Sequence, residues 1–137
     1  MKALKCLLAG CLTVGIAVSL WAEVDPDFQA AMKGAAAACG RVKKNVEAKA
    51  NPEDTAKDAE EVAQNFRKMG AFWKQRQADD AMQLSLRASE AAMGVSNAAK
   101  ASNMEEAGTQ FKALMGTCAG CHKAHRDKAA DGSYTIK

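Results

Sequence analysis

Ala107, Phe111, Leu114, Cys118, Cys121 and His125 are separated by steps of 4, 3, 4, 3 and 4. That is the stripe of one buried helix face, and it runs through the pentapeptide Cys118-Ala119-Gly120-Cys121-His122. The fold must therefore be one in which a helix turns two thiols inward and carries an imidazole beside them. CxxCH is the spacing of a c-type haem attachment site. Two thiols three positions apart can add to the two vinyl groups on one haem edge, and the adjacent imidazole can reach the iron.

Other uses of the motif fit less well. A thioredoxin-like pair needs a βαβ pattern around CxxC, and no strand run surrounds this one. A zinc site drawn from Cys118, Cys121, His122 and His125 would need four residues on two turns of one helix to converge, whereas tetrahedral sites take ligands from separate elements.

The N-terminus points to export. Lys2 and Lys5 precede an apolar run from Cys6 to Trp21, then Ala22 and the polar Glu23-Val24-Asp25-Pro26. This is the pattern of a secretory signal peptide over 1–22, with cleavage expected after Ala22. The run is shorter than the ~20 residues of a comfortable membrane span, so no stable membrane insertion is expected. Leu8-Ala9-Gly10-Cys11 has the look of a lipoprotein box, but the apolar stretch continues beyond it. Of the five cysteines, Cys6 and Cys11 would leave with the signal and two lie in CxxCH, leaving Cys39. One cysteine cannot make an intrachain disulfide, so a disulfide-stapled secreted domain is excluded. An exported CxxC that escapes becoming a disulfide is what haem attachment achieves, and a bacterial periplasm is the expected compartment.

The mature chain, 23–137, is long enough for one domain. The formal charge of +3 falls close to neutral once the two signal lysines are gone, which gives no support to nucleic-acid binding. Alanine is abundant and prolines number only two, so helices dominate. The first helix is expected from about Asp25 to Lys49, with a stripe of Phe28, Met32, Ala35, Cys39, Val42 and Val46. Asn51-Pro52-Glu53-Asp54 reads as an N-cap, a first-turn proline and two acids at the positive end of the dipole. This second helix turns Ala59, Val62, Phe66, Met69 and Trp73 inward. A third should run from Asp79 or Asp80 to about Ala101, its inner face either Met82-Leu86-Ser89-Met93-Ser96-Lys100 or Leu84-Ala88-Ala91-Val95-Ala98. Capping-box spacing at Ser102-Asn103-Met104-Glu105-Glu106 opens the fourth, which bears CxxCH and is expected to fray near Asp131-Gly132. Short links make neighbours antiparallel, so the expected fold is all-α: an up-down-up-down four-helix bundle with covalently bound haem.

An export signal, four helices and CxxCH on the last of them resemble the cytochrome c-prime family. The likeness extends to Arg126, four residues after His122, and to the short tail Asp131-Gly132-Ser133-Tyr134. It implies one haem c per chain, with Cys118 and Cys121 as thioether anchors and His122 as the proximal iron ligand. Gly40-Arg41 looks like the family's Gly-Lys or Gly-Arg pair, and counting back from it puts the distal position on Met32. A methionine there implies the low-spin, electron-transferring cytochrome c-556 type; an open site would imply five-coordinate iron that binds nitric oxide or carbon monoxide. Read from the residues alone, Met32 is a position on an apolar stripe, where methionine is more often gap-filling core than a ligand, and Met69, Met82, Met93, Met104 and Met115 are other candidates. Phe28 stands where many relatives have arginine, and His125 where they often have an aromatic.

The expected function is thus periplasmic one-electron transfer to redox partner proteins, with a homodimer implied by relatives that pair through their first two helices. No nucleophile, general base or substrate pocket suggests an enzyme. Cys39 reads as a small buried apolar residue, and Phe66, Phe72 and Trp73 as core aromatics near the haem.

Overall fold

The computed structural model describes residues 25–137; the expected signal peptide and its cleavage point lie outside the described residues. Four long helices fill most of this span: α1 (Pro26–Ala48), α2 (Pro52–Gln75), α3 (Asp79–Lys100) and α4 (Met104–His125). With 22 to 24 residues apiece they are roughly 33–36 Å long. Three-residue links reverse the chain between them, and each link contains a residue with positive φ: Lys49 and Asn51, then Gln77, then Ser102.

The two ends of the bundle show the antiparallel order. At one end, Val46 of α1 packs with Ala56 of α2, Ala99 of α3 and Met104 of α4. At the other, Phe28 opens α1 against Phe72 and Trp73, which close α2, and against Ala81, which opens α3. The CxxCH motif sits toward this second end, in the last turns of α4.

The best-packed interface joins α2 to α3. It is lined with small residues, Ala59 and Ala63 facing Ala88 and Ala92, which bring the two backbones close. Ser89 Oγ donates across it to the Ala63 carbonyl at 3.2 Å. Gly70 belongs to the same seam: a Cβ there would lie 3.6 Å from that of Ser85. Larger side chains fill the axis, with Met69, Val42, Val62, Val95 and Leu114 almost fully buried. The α1–α4 interface is by contrast the loosest between neighbouring helices.

Four local expectations are corrected. Asn51 occupies the N-cap position of α2, yet its side chain caps nothing. The tight link forces it to φ 52°, and its backbone carbonyl instead accepts from Thr55 N–H at 2.9 Å and Thr55 Oγ1 at 2.8 Å. On α3, the inner face coincides with neither expected stripe in full and lies nearer the second. The buried line runs through Ala81, Ser85, Ala88, Ala92, Val95 and Ala99, sharing Ala88 and Val95 with the second expected stripe, whose Ala98 is also buried, while Leu84 is only part-buried; Leu86 of the first is 40% exposed, because close approach to α2 selects small residues over large ones. On α1, likewise, the deepest line is Ala31, Ala35, Ala38 and Val42, with Met32, Cys39 and Val46 part-buried on its flank.

The fourth correction concerns the C-terminus. The α4 helix stops at His125 rather than fraying near Asp131-Gly132, and Arg126 turns extended. Arg126–Lys128 (β1) then pairs antiparallel with Tyr134–Ile136 (β2). Gly132, at φ 86°, shapes the connecting turn, and Asp131 Oδ1 accepts from Ser133 N–H at 2.9 Å. Of the two capping pairs that the spacing offers, Ser102 with Glu105 and Asn103 with Glu106, the second caps α4: the Asn103 side chain accepts from Glu106 N–H at 3.1 Å.

Candidate functional site

Cys118, Cys121 and His122 fall in the last two turns of α4, all part-buried. The stripe that carries them descends from a buried segment, Ala107, Phe111 and Leu114, to a half-buried one at Cys118, Cys121 and His125. Cys118 packs against the main core. Neither motif cysteine is in a disulfide, nor is Cys39.

Burial holds these sulfurs in their neutral form. The Cys118 thiol is pushed up to about 11 by burial and then by the neighbouring Cys121, and Cys121 is raised by burial and then by the Asp80 carboxylate. His122 moves the other way. Burial, followed by the nearby Arg126 guanidinium, holds it below its ordinary value, which favours the neutral imidazole that a metal requires.

On α1, Met32, Cys39 and Val46 are seven residues apart and therefore lie along one line of the helix. Val46 meets α4 directly, since its Cγ1 lies 3.2 Å from where a Cβ on Gly108 would be. Cys39 lies close enough to Cys118 for the two thiols to repel each other's ionisation, and burial with that neighbour pushes Cys39 up to about 12. The helices being antiparallel, one further step of seven along α1 brings Met32 level with the segment from His122 to His125. Met32 is part-buried against the main core, and the Cys39 reading as a small apolar residue agrees with its surroundings.

The aromatic residues divide. Phe66 belongs to the main core, whereas Phe72 and Trp73 form an aromatic cluster with Phe28 at the motif end. Phe28 and Phe72 lie 4.3 Å apart between ring centroids, and both meet Trp73 edge-on. His125 adds its ring to this cluster, 5.4 Å from that of Trp73. Its Nε2 is sealed from solvent 2.9 Å from Asp80 Oδ2, but off the line of a well-directed hydrogen bond. Asp80, in the first turn of α3, is a residue that spacing along the sequence did not single out; only the three-residue link and antiparallel order bring it to the end of α4.

Two shallow depressions, of about 340 and 440 Å³, lie around Arg41 and Asp58 and around Arg67 and Met93; neither borders the motif. Among the described residues, no group of three or more His, Cys, Asp or Glu side chains is gathered to hold a metal ion. No described helix is long and apolar enough to cross a membrane. No protein-family model matches the chain, and neither the curated proteins nor the solved structures contain a match to it.

Proposed function

We propose that this protein is an exported c-type cytochrome that transfers single electrons through one covalently bound haem, with His122 and Met32 as axial ligands. The observation that carries the reading is the placement of CxxCH: two part-buried thiols and a neutral-leaning imidazole on the inner side of α4, beside the loosest seam of the bundle. The donor set suits the group. Thiols at i and i+3 can serve as its anchors, and an imidazole with a thioether sulfur is a ligand pair that raises the potential of haem iron.

Haem would supply the one-electron chemistry. The chain's own residues would hold it, fix its ligands and keep water away. Cys118 and Cys121 would anchor it; His122 and Met32 would hold the iron from α4 and α1; Phe28, Phe72 and Trp73 make the motif end apolar. Because both motif thiols are held protonated, they are poor nucleophiles on their own, and attachment would depend on dedicated machinery of the exporting compartment. The likeness to the cytochrome c-prime family, in its low-spin c-556-type branch, rests on the helix order and on the motif residues named above. A redox partner protein and a periplasmic location follow from the same reading.

The test is the visible spectrum of mature protein made with haem-attachment machinery present, oxidised and reduced, with and without carbon monoxide. A covalent, low-spin haem indifferent to carbon monoxide is the expected result. A high-spin spectrum that shifts with carbon monoxide would replace electron transfer by gas binding, and a protein with no covalent haem would overturn the proposal.

A further inference from the structure

Every helix leaves its last carbonyls without intrahelical donors, and an end left that way frays. At the end of α4 three of the last four carbonyls are taken. His122 O accepts from the Arg126 N–H, Lys123 O from Lys137 Nζ at 3.3 Å, and His125 O from the Lys137 N–H at 3.1 Å. Two of these three donors belong to residue 137, which reaches α4 because a hairpin folds the chain back. Its neighbour Ile136 pairs with Arg126 across the β1–β2 ladder and packs into the Phe72, Trp73 and Ala81 cluster, tying the strand to α2 and α3. Lys137 Nζ also lies 3.5 Å from Asp127 Oδ1, and the Arg126 guanidinium lies 4.2 Å over the Tyr134 ring.

The turn closed in this way is the one that carries Cys121 and His122. Nothing within α4 accounts for so firm an end: no glycine or proline stops it, and residues 123–130 would readily continue a helix. We infer that the C-terminal hairpin is a strap for the axial histidine, which ties the stability of the His122-bearing turn to that of the whole bundle, so that this turn does not unwind while the helices remain packed. The inference rests on the haem reading for what His122 holds, but not for the mechanics of the strap. Ile136 and Lys137 are positioning residues, acting through the backbone of α4.

The experiment uses the haem-loaded chain and two variants. One ends after Thr135; the other, Ile136→Asp, keeps the Lys137 backbone donor but loses its apolar anchor. Lys128→Ala, an exposed side chain outside these contacts, is the control. Urea unfolding is followed by far-ultraviolet circular dichroism and by the visible haem absorption that shifts when histidine leaves the iron. Hydrogen exchange is measured over residues 122–126. In the full chain and the control the two transitions should coincide. In both variants, loss of the histidine should precede loss of helix, and exchange over 122–126 should quicken by about tenfold or more, the loss of one or two net hydrogen bonds. Coincident transitions and unchanged exchange in the variants would overturn the strap. Should the purified chain carry no haem, the haem reading fails by itself, while exchange alone still decides the strap in either direction. If the shortened chain does not fold, Ile136→Asp gives the decision.

Discussion

Replacing Met32 by alanine separates a ligand from a piece of packing, provided Met69→Ala is made beside it. Met69 is 2% exposed in the middle of the core, so its truncation leaves a full cavity and should cost about 2–5 kcal/mol. Met32 is only part-buried on the flank of α1, which scales the packing loss down to about 1–2 kcal/mol. On packing grounds alone, Met69→Ala is the more harmful change and neither variant touches the spectrum. On the ligand hypothesis the order reverses for the haem: Met32→Ala turns the iron from low spin to high spin, opens it to carbon monoxide and lowers its potential, while Met69→Ala leaves all three unchanged despite its larger stability loss. The assays are the optical spectrum with and without carbon monoxide, a redox titration, and urea denaturation to confirm the stability ranking. A Met32→Ala protein with the wild-type spin state and potential would refute the assignment, and with it the register argument built on Val46 and Gly108.

Glycine substitutions test the packing of α1. Gly40→Ala, with nothing within 4 Å of the new Cβ, should stabilise by about 0.5–1 kcal/mol, whereas Gly34→Ala, whose Cβ would stand 3.0 Å from Asn65 Nδ2, should gain nothing or destabilise; equal gains in thermal unfolding would contradict the described contact. Glu60 is held below the ordinary carboxylate value by hydrogen bonds from Lys100 and then Ser96, so the stability it adds is present above that ordinary value and is lost as pH falls through the lower folded one. Lys100→Met should therefore move the Glu60 titration upward when followed by NMR; no movement would remove Lys100 as the cause. Because burial raises the Cys39 thiol to about 12, native protein at mildly alkaline pH should resist alkylation there and react on unfolding. Labelling of native protein at the unfolded rate would show that Cys39 is not covered. Arg41 reaches Asp58 at 2.7 Å and Glu61 at 2.6 Å, but on the surface, so Arg41→Ala should leave the urea midpoint almost unchanged; a clear loss that persists in high salt would require another role.

The helices themselves were legible because period, caps and links agree. Pro26 and Pro52 begin helices where a first-turn proline belongs, and Asn103 followed by Glu106 marks the start of α4. What resisted reading depended on contacts between distant residues. The inner face of α3 could not be chosen by hydrophobicity, because close approach to α2 favoured Ala and Ser over Leu86 and Met82. The β-hairpin contradicts the local helical tendency of Lys123–Ala130, and its stability comes from Ile136 finding Phe72 and Trp73, more than sixty positions earlier. At the candidate site, Cys118, Cys121 and His122 announce themselves by spacing, and Met32 through the resemblance; Asp80 had no signal at all.

The loose α1–α4 seam has a consequence for how the chain assembles. The three well-made helix contacts, α1 with α2, α2 with α3 and α3 with α4, all join neighbours in the sequence, and only the weakest joins the two ends. Contacts of short sequence separation cost little chain entropy, so the helical hairpins should form quickly and the meeting of first and last helices should come late. A side chain such as Val62, between α2 and α3, would then influence the folding rate, whereas Val46, at the seam, would act mainly on the unfolding rate. The folding chain would thus pass through a three-sided barrel whose open side exposes the CxxCH sulfurs, leaving the motif within reach of other proteins until the last wall closes.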